Sequence, residues 1–373
     1  MSRVAIVGGG FAGLAAAMIL RREAPRLSVT LLDRNPAACY LPLLPDCIGR
    51  AIPPELLLYA YADASRRYGF DFWQRQVTRI DCPAGMVYAG DAAVPFDYLV
   101  CAAGMQPNFY GNRAAAEHAY CLATIDDARR LAAALAERTP VQVVVAGGGY
   151  TGVEVATAVW RLCRKRSPAV RVLMVERAAE ILAALPPAAS AYVRAHLRRL
   201  NIDVACGVSV AAADSRSVRL SDGRVYADAL LVWTAGVQAA PCVDSLPGQK
   251  NQQGRVIVDD YLRCAPRCFV AGDAAVQTVG GVPLRMSVQA ALTQGSVAAR
   301  NIIAAHRNQP LRACRPRDLG WVVPMADNNG WGIALGIPVR GPAAVFLHYL
   351  MCLYRGRGGV GRALALAGAI AKG

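Results

Sequence analysis

The sequence predicts an α/β fold with two parallel βαβ units and a small C-terminal region, on three observations. "RVAIV" (3–7) is an apolar strand-type run that enters the glycine-rich turn "GGGFAG" and then a helical stretch. The same order returns far downstream, in "VQVVVAGGGYTG" from Val141. Each unit closes on a second apolar run that ends in an acid, "SVTLLD" (28–33) and "VRVLMVE" (170–176). Continuous apolar strands alternating with a helix are the pattern of a parallel sheet covered on both faces.

In the first unit, Gly8, Gly10 and Gly13 form G-x-G-x-x-G between strand and helix. The first glycine permits a tight turn, the second lets a pyrophosphate approach the backbone, and the third lets helix and strand pack closely. The helix N-terminus then faces the phosphate charge. Asp33, ending the next strand, is placed to hydrogen-bond a ribose. In the second unit Gly147, Gly149 and Gly152 repeat the fingerprint and Glu176 takes the place of the acid. A carboxylate there favours a free 2′-hydroxyl, as in NADH, over a 2′-phosphate; Arg177 beside it softens that rejection. Two fingerprints imply two Rossmann-like dinucleotide-binding domains and two dinucleotides.

Further elements lie between and after these units. "PFDYLVCAAGMQPN" (95–108) and "YADALLVWTAGVQAAP" (226–241) each read as a strand ending in a glycine turn. "RCFVAGDAA" (267–275) is a short buried strand ending in Gly272-Asp273. Asp273 can accept hydrogen bonds from a sugar-like chain, and a helix expected to start at Ala274 would offer N–H groups. That suits the ribityl and phosphate part of FAD; an ordinary helix N-cap is the other reading. "SVQAALTQGSVAARNII" (287–303) reads as a helix. Beyond about residue 310 the pattern changes to Trp-, Gly- and Pro-punctuated segments and an apolar tail.

Bulk properties narrow the class. The 373 residues suffice for two or three domains, at 55% hydrophobic and 18% charged. The formal charge of +15 is spread, with local excess in "RLCRKR" (161–166) and "YRGRGGVGR" (354–362), and no run of five Lys/Arg occurs. This argues against a nucleic-acid partner. It fits phosphate-bearing cofactors, an anionic membrane surface, or simply a basic solubilising surface. The 12 cysteines show no CxxC and no zinc spacing, so no metal is expected and the thiols read as reduced, small apolar residues. "MSRVAIVGGG" enters a strand at once, so no signal peptide is expected, and no apolar run is long enough to predict a spanning helix.

The order of motifs carries a resemblance. The first G-x-G-x-x-G, "FDYLVCAAGMQPN", "GGGYTGVEVA", "WTAGVQ" and "CFVAGDAA" resemble the two-dinucleotide-binding-domain flavoproteins. Within these, the chain is most similar to type II NADH dehydrogenases, the single-chain NADH:quinone oxidoreductases. The resemblance spans about residues 1–310, and "TGVE" and "WTAGV" are its more specific parts.

The resemblance implies FAD in a discontinuous domain, 1–110 and 236–310, and NADH in an inserted domain, 111–235. A C-terminal region, 311–373, would carry a membrane-facing tail. It implies hydride transfer from NADH to flavin and of two electrons on to a membrane quinone, without proton pumping. The enzyme would sit peripherally on the cytoplasmic, inner face of the cell membrane, with a homodimer left open. In "TGVE", Glu154 takes the place of a glutamate near the nicotinamide–flavin contact that is implicated in catalysis; a core glutamate at a helix start is the structural alternative. Gln289 and Gln294 match a family motif bordering the quinone site, although Val288 and Thr293 depart from it. Solvent-facing or helix-capping polarity is the alternative for both.

Between the acid and the second half of the first domain lies "CYLPLLPDC" (39–47). Cys39 and Cys47 are either a redox dithiol or structural thiols. The segment matches the family's aromatic-x-Pro-Leu-Leu pattern and reads as an apolar wall near flavin and quinone. A soluble reductase of a disulfide or protein partner, and a non-enzymatic NADH sensor, stay open as alternatives. So does a sulfide:quinone oxidoreductase-like enzyme, for which Cys121 is suggestive but lacks a second sulfur carrier. The tail "PAAVFLHYLMCLYR" (342–355), followed by Arg355, Arg357 and Arg362, suits a helix lying in the headgroup boundary, or one packed on protein.

Overall fold

The structure, a computed structural model, describes residues 1–137, 140–166, 169–356 and 359–372. The chain forms two compact units. The first is Met1–Ala38, Tyr59–Gln106 and Val237–Asp318, and the second is Cys39–Leu58, Pro107–Gly236 and Leu319–Gly373. These units cut the chain differently from the segments expected above. Cys39–Leu58, expected inside 1–110, groups with the second unit, as does the C-terminal region from Leu319. The reason is apolar packing. Leu43, Leu44, Ile52 and Leu57 share a buried cluster with Ile125, Ala128, Cys352 and Leu366.

The first unit is built on a six-stranded sheet. Its order is Arg263–Ala265, Cys268–Val270, Tyr98–Cys101, Arg3–Val7, Ser28–Asp33, Asp71–Gln74. All neighbours are parallel except the first pair. Val4, Ile6, Leu31, Leu99, Val100 and Phe269 are all buried, as strands covered on both faces require. The first glycine helix, Phe11–Glu23, packs along the helix Val288–His306. Their approach is set by small residues: a Cβ on Gly295 would lie 2.1 Å from the Ala12 carbonyl oxygen. A three-stranded antiparallel sheet, Arg79–Asp81, Met86–Ala89 and Ala92–Pro95, completes this unit's βαβ region. The helix expected to start at Ala274 does not form. Gly272–Ala274 is a single 3-10 turn that passes into the short strand Ala275–Val276, and the helix begins only at Val288.

The second unit repeats the plan. Its four-stranded parallel sheet runs Ile202–Cys206, Arg171–Glu176, Gln142–Ala146, Ala229–Trp233. Again the strand before the glycine turn is central. A second antiparallel trio, Val210–Ala213, Ser217–Leu220 and Val225–Ala227, lies in the same place along the chain. The second glycine helix, Tyr150–Arg166, crosses the short helix Leu44–Gly49. A Cβ on Gly49 would sit 2.9 Å from Ala158 Cα, so the two backbones touch.

The C-terminal stretch that no motif explained is a three-stranded antiparallel sheet, Gly320–Met325, Asn329–Ala334 and Ile337–Arg340. Trp321 and Trp331 pack with ring centroids 5.3 Å apart, and Trp321 also meets Tyr150 edge-on. The helix Pro342–Arg355 packs on this sheet, and Gly359–Lys372 follows. Among the described residues no helix is long and apolar enough to cross a membrane.

Candidate functional site

The first glycine turn is shaped by three different demands. Gly8 adopts φ +91°, and a Cβ there would lie 2.3 Å from the Ala102 carbonyl oxygen. A Cβ on Gly13 would lie 1.8 Å from the Gly8 carbonyl oxygen, so nothing larger permits this helix–turn contact. Gly10 differs: no atom lies within 4 Å of its missing Cβ. Its side-chain space is open, as required where a ligand backs onto main chain. Asp33 holds the turn. Its Oδ2 accepts from Gly9 N at 2.7 Å and its Oδ1 from Asn35 N at 2.8 Å. Tyr61 donates to the same Oδ2 at 3.3 Å, and its ring fills the place where a Gly9 side chain would go.

The second turn has the same construction. Gly147 has φ +111° and abuts the Thr234–Ala235 backbone. A Cβ on Gly152 would lie 1.8 Å from the Gly147 carbonyl oxygen, and Gly149 faces open space. Glu176 Oε2 accepts from Gly148 N at 2.7 Å, and Oε1 accepts from Ala178 N at 2.7 Å. Both turns therefore fit the phosphate of a dinucleotide. Each offers an unobstructed glycine at a helix N-terminus beside an acid whose orientation is set by backbone donors.

A third set of predicted residues meets at Gly272. Gly272 N donates to Gln294 Oε1 at 2.8 Å, Gln294 Nε2 donates to Gln277 Oε1 at 3.1 Å, and Gln277 Nε2 donates to the Cys314 carbonyl at 2.7 Å. Gln294 is buried, so its polar groups go to holding this turn. Asp273 follows. Burial pushes its carboxyl up, and Arg255 opposes that rise. Arg255, itself buried, donates to the Asp273 carbonyl at 2.7 Å and to the Ala275 carbonyl at 2.6 Å. Gln289, expected beside Gln294, bonds elsewhere: its Nε2 donates to Asp318 Oδ1 at 2.7 Å, the atom that also pairs with Arg285. The structure thus gathers Gly272, Asp273 and Gln294, while the Gln289 amide is turned to Asp318.

Glu154 lies in the first turns of the second glycine helix, and its carboxyl is raised well above the usual carboxylate range. Burial is the larger cause and the Asp46 carboxylate the second. Asp46 sits on the crossing helix, one turn before Gly49, as Glu154 sits one turn before Ala158. Burial pushes Asp46 up to about 6, against the pull of Tyr349 and Arg50. Tyr349 Oη donates to its Oδ1 at 2.7 Å, and Arg50 Nε pairs with the same oxygen at 3.1 Å. Burial and the Asp46 charge both favour the protonated form of Glu154.

Cys39 and Cys47 are free thiols, and burial pushes each up to about 12. Cys121 is likewise pushed up to about 11 by burial. Thiols so far above neutrality are poor nucleophiles. Three residues escaped sequence reasoning: Tyr61, Arg255 and Asp46. Tyr61 and Arg255 act across long sequence separations, with no local signal. Asp46 lay inside the quoted "CYLPLLPDC" as its one acid, hidden by an apolar reading.

Residues 2–295 match the family model for pyridine nucleotide-disulphide oxidoreductases. Among curated proteins, the chain is 28% identical to the demethylphylloquinone reductase NdbB of Synechocystis sp., over 95% of this chain and 92% of that one. It is 27% identical to the type II NADH:quinone oxidoreductase of Haemophilus influenzae, over 89% of this chain and 87% of that one. The solved structure of NDH2 from Plasmodium falciparum in complex with NADH shares the fold at TM-score 0.87 and 14% identity, covering 100% of this chain and 98% of that one. The glycine turns, the acids that brace them and the extent of the match agree: the chain belongs to the pyridine nucleotide-disulphide oxidoreductase family.

Proposed function

We propose that the chain is an FAD-dependent NADH:quinone oxidoreductase. The observation that carries this reading is the duplicated glycine turn, each copy with an open central glycine and an acid bound to the turn's own N–H. The names of the relatives in Synechocystis and Haemophilus support quinone as acceptor. FAD, when bound, supplies the two-electron chemistry that links a hydride donor to a quinone.

In this reading Gly8, Gly10, Gly13 and Asp33 hold the adenine dinucleotide half of FAD, and Gly272 and Asp273 its ribityl side. Gly147, Gly149, Gly152 and Glu176 hold NADH, and the Glu176 carboxylate disfavours a 2′-phosphate. Glu154, with Asp46 behind it, holds a proton for the acceptor side. Gln294 positions Gly272, and Gln289 contributes to quinone binding. Membrane association is part of the proposal. Phe346, Leu350, Tyr354 and Leu364 are exposed on the last two helices, with Arg355 and Arg362 among them. Apolar side chains flanked by cations suit an anionic headgroup boundary.

The test is anaerobic NADH oxidation by the FAD-loaded protein with a short-chain quinone, set against a disulfide acceptor, before and after thiol alkylation. Quinone turnover that survives alkylation supports the reading. Turnover only with the disulfide, abolished by alkylation, overturns it in favour of a disulfide reductase.

A further inference from the structure

Three thiols that the proposed reaction does not use meet at the edge of the first unit's sheet. Cys82 follows the strand Arg79–Asp81, Cys264 lies in the edge strand Arg263–Ala265, and Cys268 opens the adjoining strand Cys268–Val270. The pairing of those two strands is irregular between Arg263 and Ala265. Cys264 sits at that irregularity, and its Sγ donates to the Cys268 carbonyl at 3.5 Å across the turn. Cys82 and Cys264 are partly exposed and pack against one apolar cluster that includes the buried Cys268. Cys82 interacts electrostatically with the thiols of both Cys264 and Cys268, and none of the three is in a disulfide.

These contacts divide the roles. The two neighbouring thiols hold Cys82 below the usual thiol range, against burial and the nearby Asp81. The same interaction and burial push Cys264 and Cys268 up. A partly exposed sulfur with thiolate character is the nucleophile of such a group, and a protonated neighbour is the resolving partner. Cys264 suits resolution better than Cys268. It lies on the outermost strand, whereas Cys268 is locked between that strand and Tyr98–Cys101 in the parallel sheet.

We propose that Cys82 and Cys264 form a peroxide-responsive thiol pair that closes to a reversible disulfide. The Cys82 thiolate attacks one oxygen of a peroxide and the O–O bond breaks. Cys82 becomes a sulfenic acid and hydroxide leaves. The Cys264 thiol then attacks the Cys82 sulfur, the S–O bond breaks, and water departs with the Cys264 proton. Two thiols lose two electrons and the peroxide gains them. The bond would tie the edge of the main sheet to the antiparallel trio that begins at Arg79.

Tryptic cleavage tests this cleanly. Cys82 falls in peptide 80–113, Cys264 in 264–267 and Cys268 in 268–285. After equimolar hydrogen peroxide, alkylation and digestion, a cross-link between 80–113 and 264–267 is expected, lost on treatment with dithiothreitol. Fragmentation of 80–113 separates Cys82 from Cys101. Without peroxide, iodoacetamide near pH 6 is expected to label Cys82 roughly tenfold faster than Cys39. In C264S, dimedone is expected to trap the sulfenic acid on Cys82. Full recovery of Cys82 as the alkylated thiol after peroxide, or a cross-link to 268–285 instead, overturns the proposal.

Discussion

The two glycine turns are near copies in backbone and unlike in what they carry. In both, the first glycine takes a left-handed φ, the third is closed off by a carbonyl oxygen 1.8 Å from its missing Cβ, and the second is open. In both, an acid from the next strand grips the middle N–H at 2.7 Å. The difference comes two residues past the third glycine. There the first helix carries the buried Ala15, and the second carries Glu154, raised by burial and by Asp46. The turn is built alike in both copies, and only the second helix carries a burial-raised acid behind it.

Breaking the shared part should give the largest effects. G13A and G152A each place a methyl against a backbone oxygen that cannot move without opening the turn. G13A is expected to purify without flavin. G152A is expected to keep flavin and lose roughly 100-fold or more in NADH kcat/KM, on the order of 3 kcal/mol. Flavin absorbance per chain and steady-state kinetics check both. G10A and G149A, in open space, should leave Tm nearly unchanged while weakening the same ligands, which separates holding the fold from holding the ligand.

Exchanging the unlike part should come next. Ala15→Glu buries an acid in a sheet-facing helix with no partner, and is expected to cost several kcal/mol in urea unfolding. Glu154→Ala removes an acid that burial already penalises, so it should raise Tm while lowering quinone turnover by about 10–100-fold. A turn pair in which both substitutions behaved alike would end the comparison.

Smaller effects sharpen it. Asp46 is raised from 3.8 to about 6. A raised acid contributes stability that is full below 3.8 and lost as pH rises through about 6. That loss is on the order of 3 kcal/mol, and the drop in urea-unfolding free energy between pH 4 and 7 should be flattened in D46N. Above about pH 6 the charged Asp46 also raises Glu154. D46N should therefore move a Glu154-linked limb of the pH–rate profile to lower pH, and leave rates below that pH little changed. Smallest of all, Tyr61→Phe removes one 3.3 Å bond to Asp33 and should cost about 0.5–1.5 kcal/mol, visible as slightly weaker flavin retention.

Much of this was legible in the sequence because glycine spacing and strand-end acids are local constraints. A helix cannot lie on its strand with a Cβ at Gly13 or Gly152, whatever surrounds it. The grouping of 39–58 with the second unit was not legible, because "YLPLLP" says only that it is apolar, not which core receives it. Ala274 was misread as a helix start because Gly-Asp before a run of alanines imitates a cap, whereas the chain turns once and re-enters a strand. Gln294 was matched to a motif bordering the quinone site, and its partners Gly272 and Gln277, 22 and 17 residues away, carry no local signal. Arg255 and Tyr61 reach their targets through tertiary contacts for which no periodicity exists.

The chain passes between its two units five times, at 38/39, 58/59, 106/107, 236/237 and 318/319. All four strands of the second sheet lie within 107–236, but the first sheet holds Arg3–Val7 and still awaits Cys268–Val270. Of the two parallel sheets, the one whose first strand is made first is therefore completed last during synthesis. At about 5–20 residues per second, the strand Tyr98–Cys101 leaves the ribosome roughly 10–30 s before its neighbour Cys268–Val270 exists. For that interval the nascent chain carries an apolar half-sheet with an open edge, and this period is where a chaperone would be needed most.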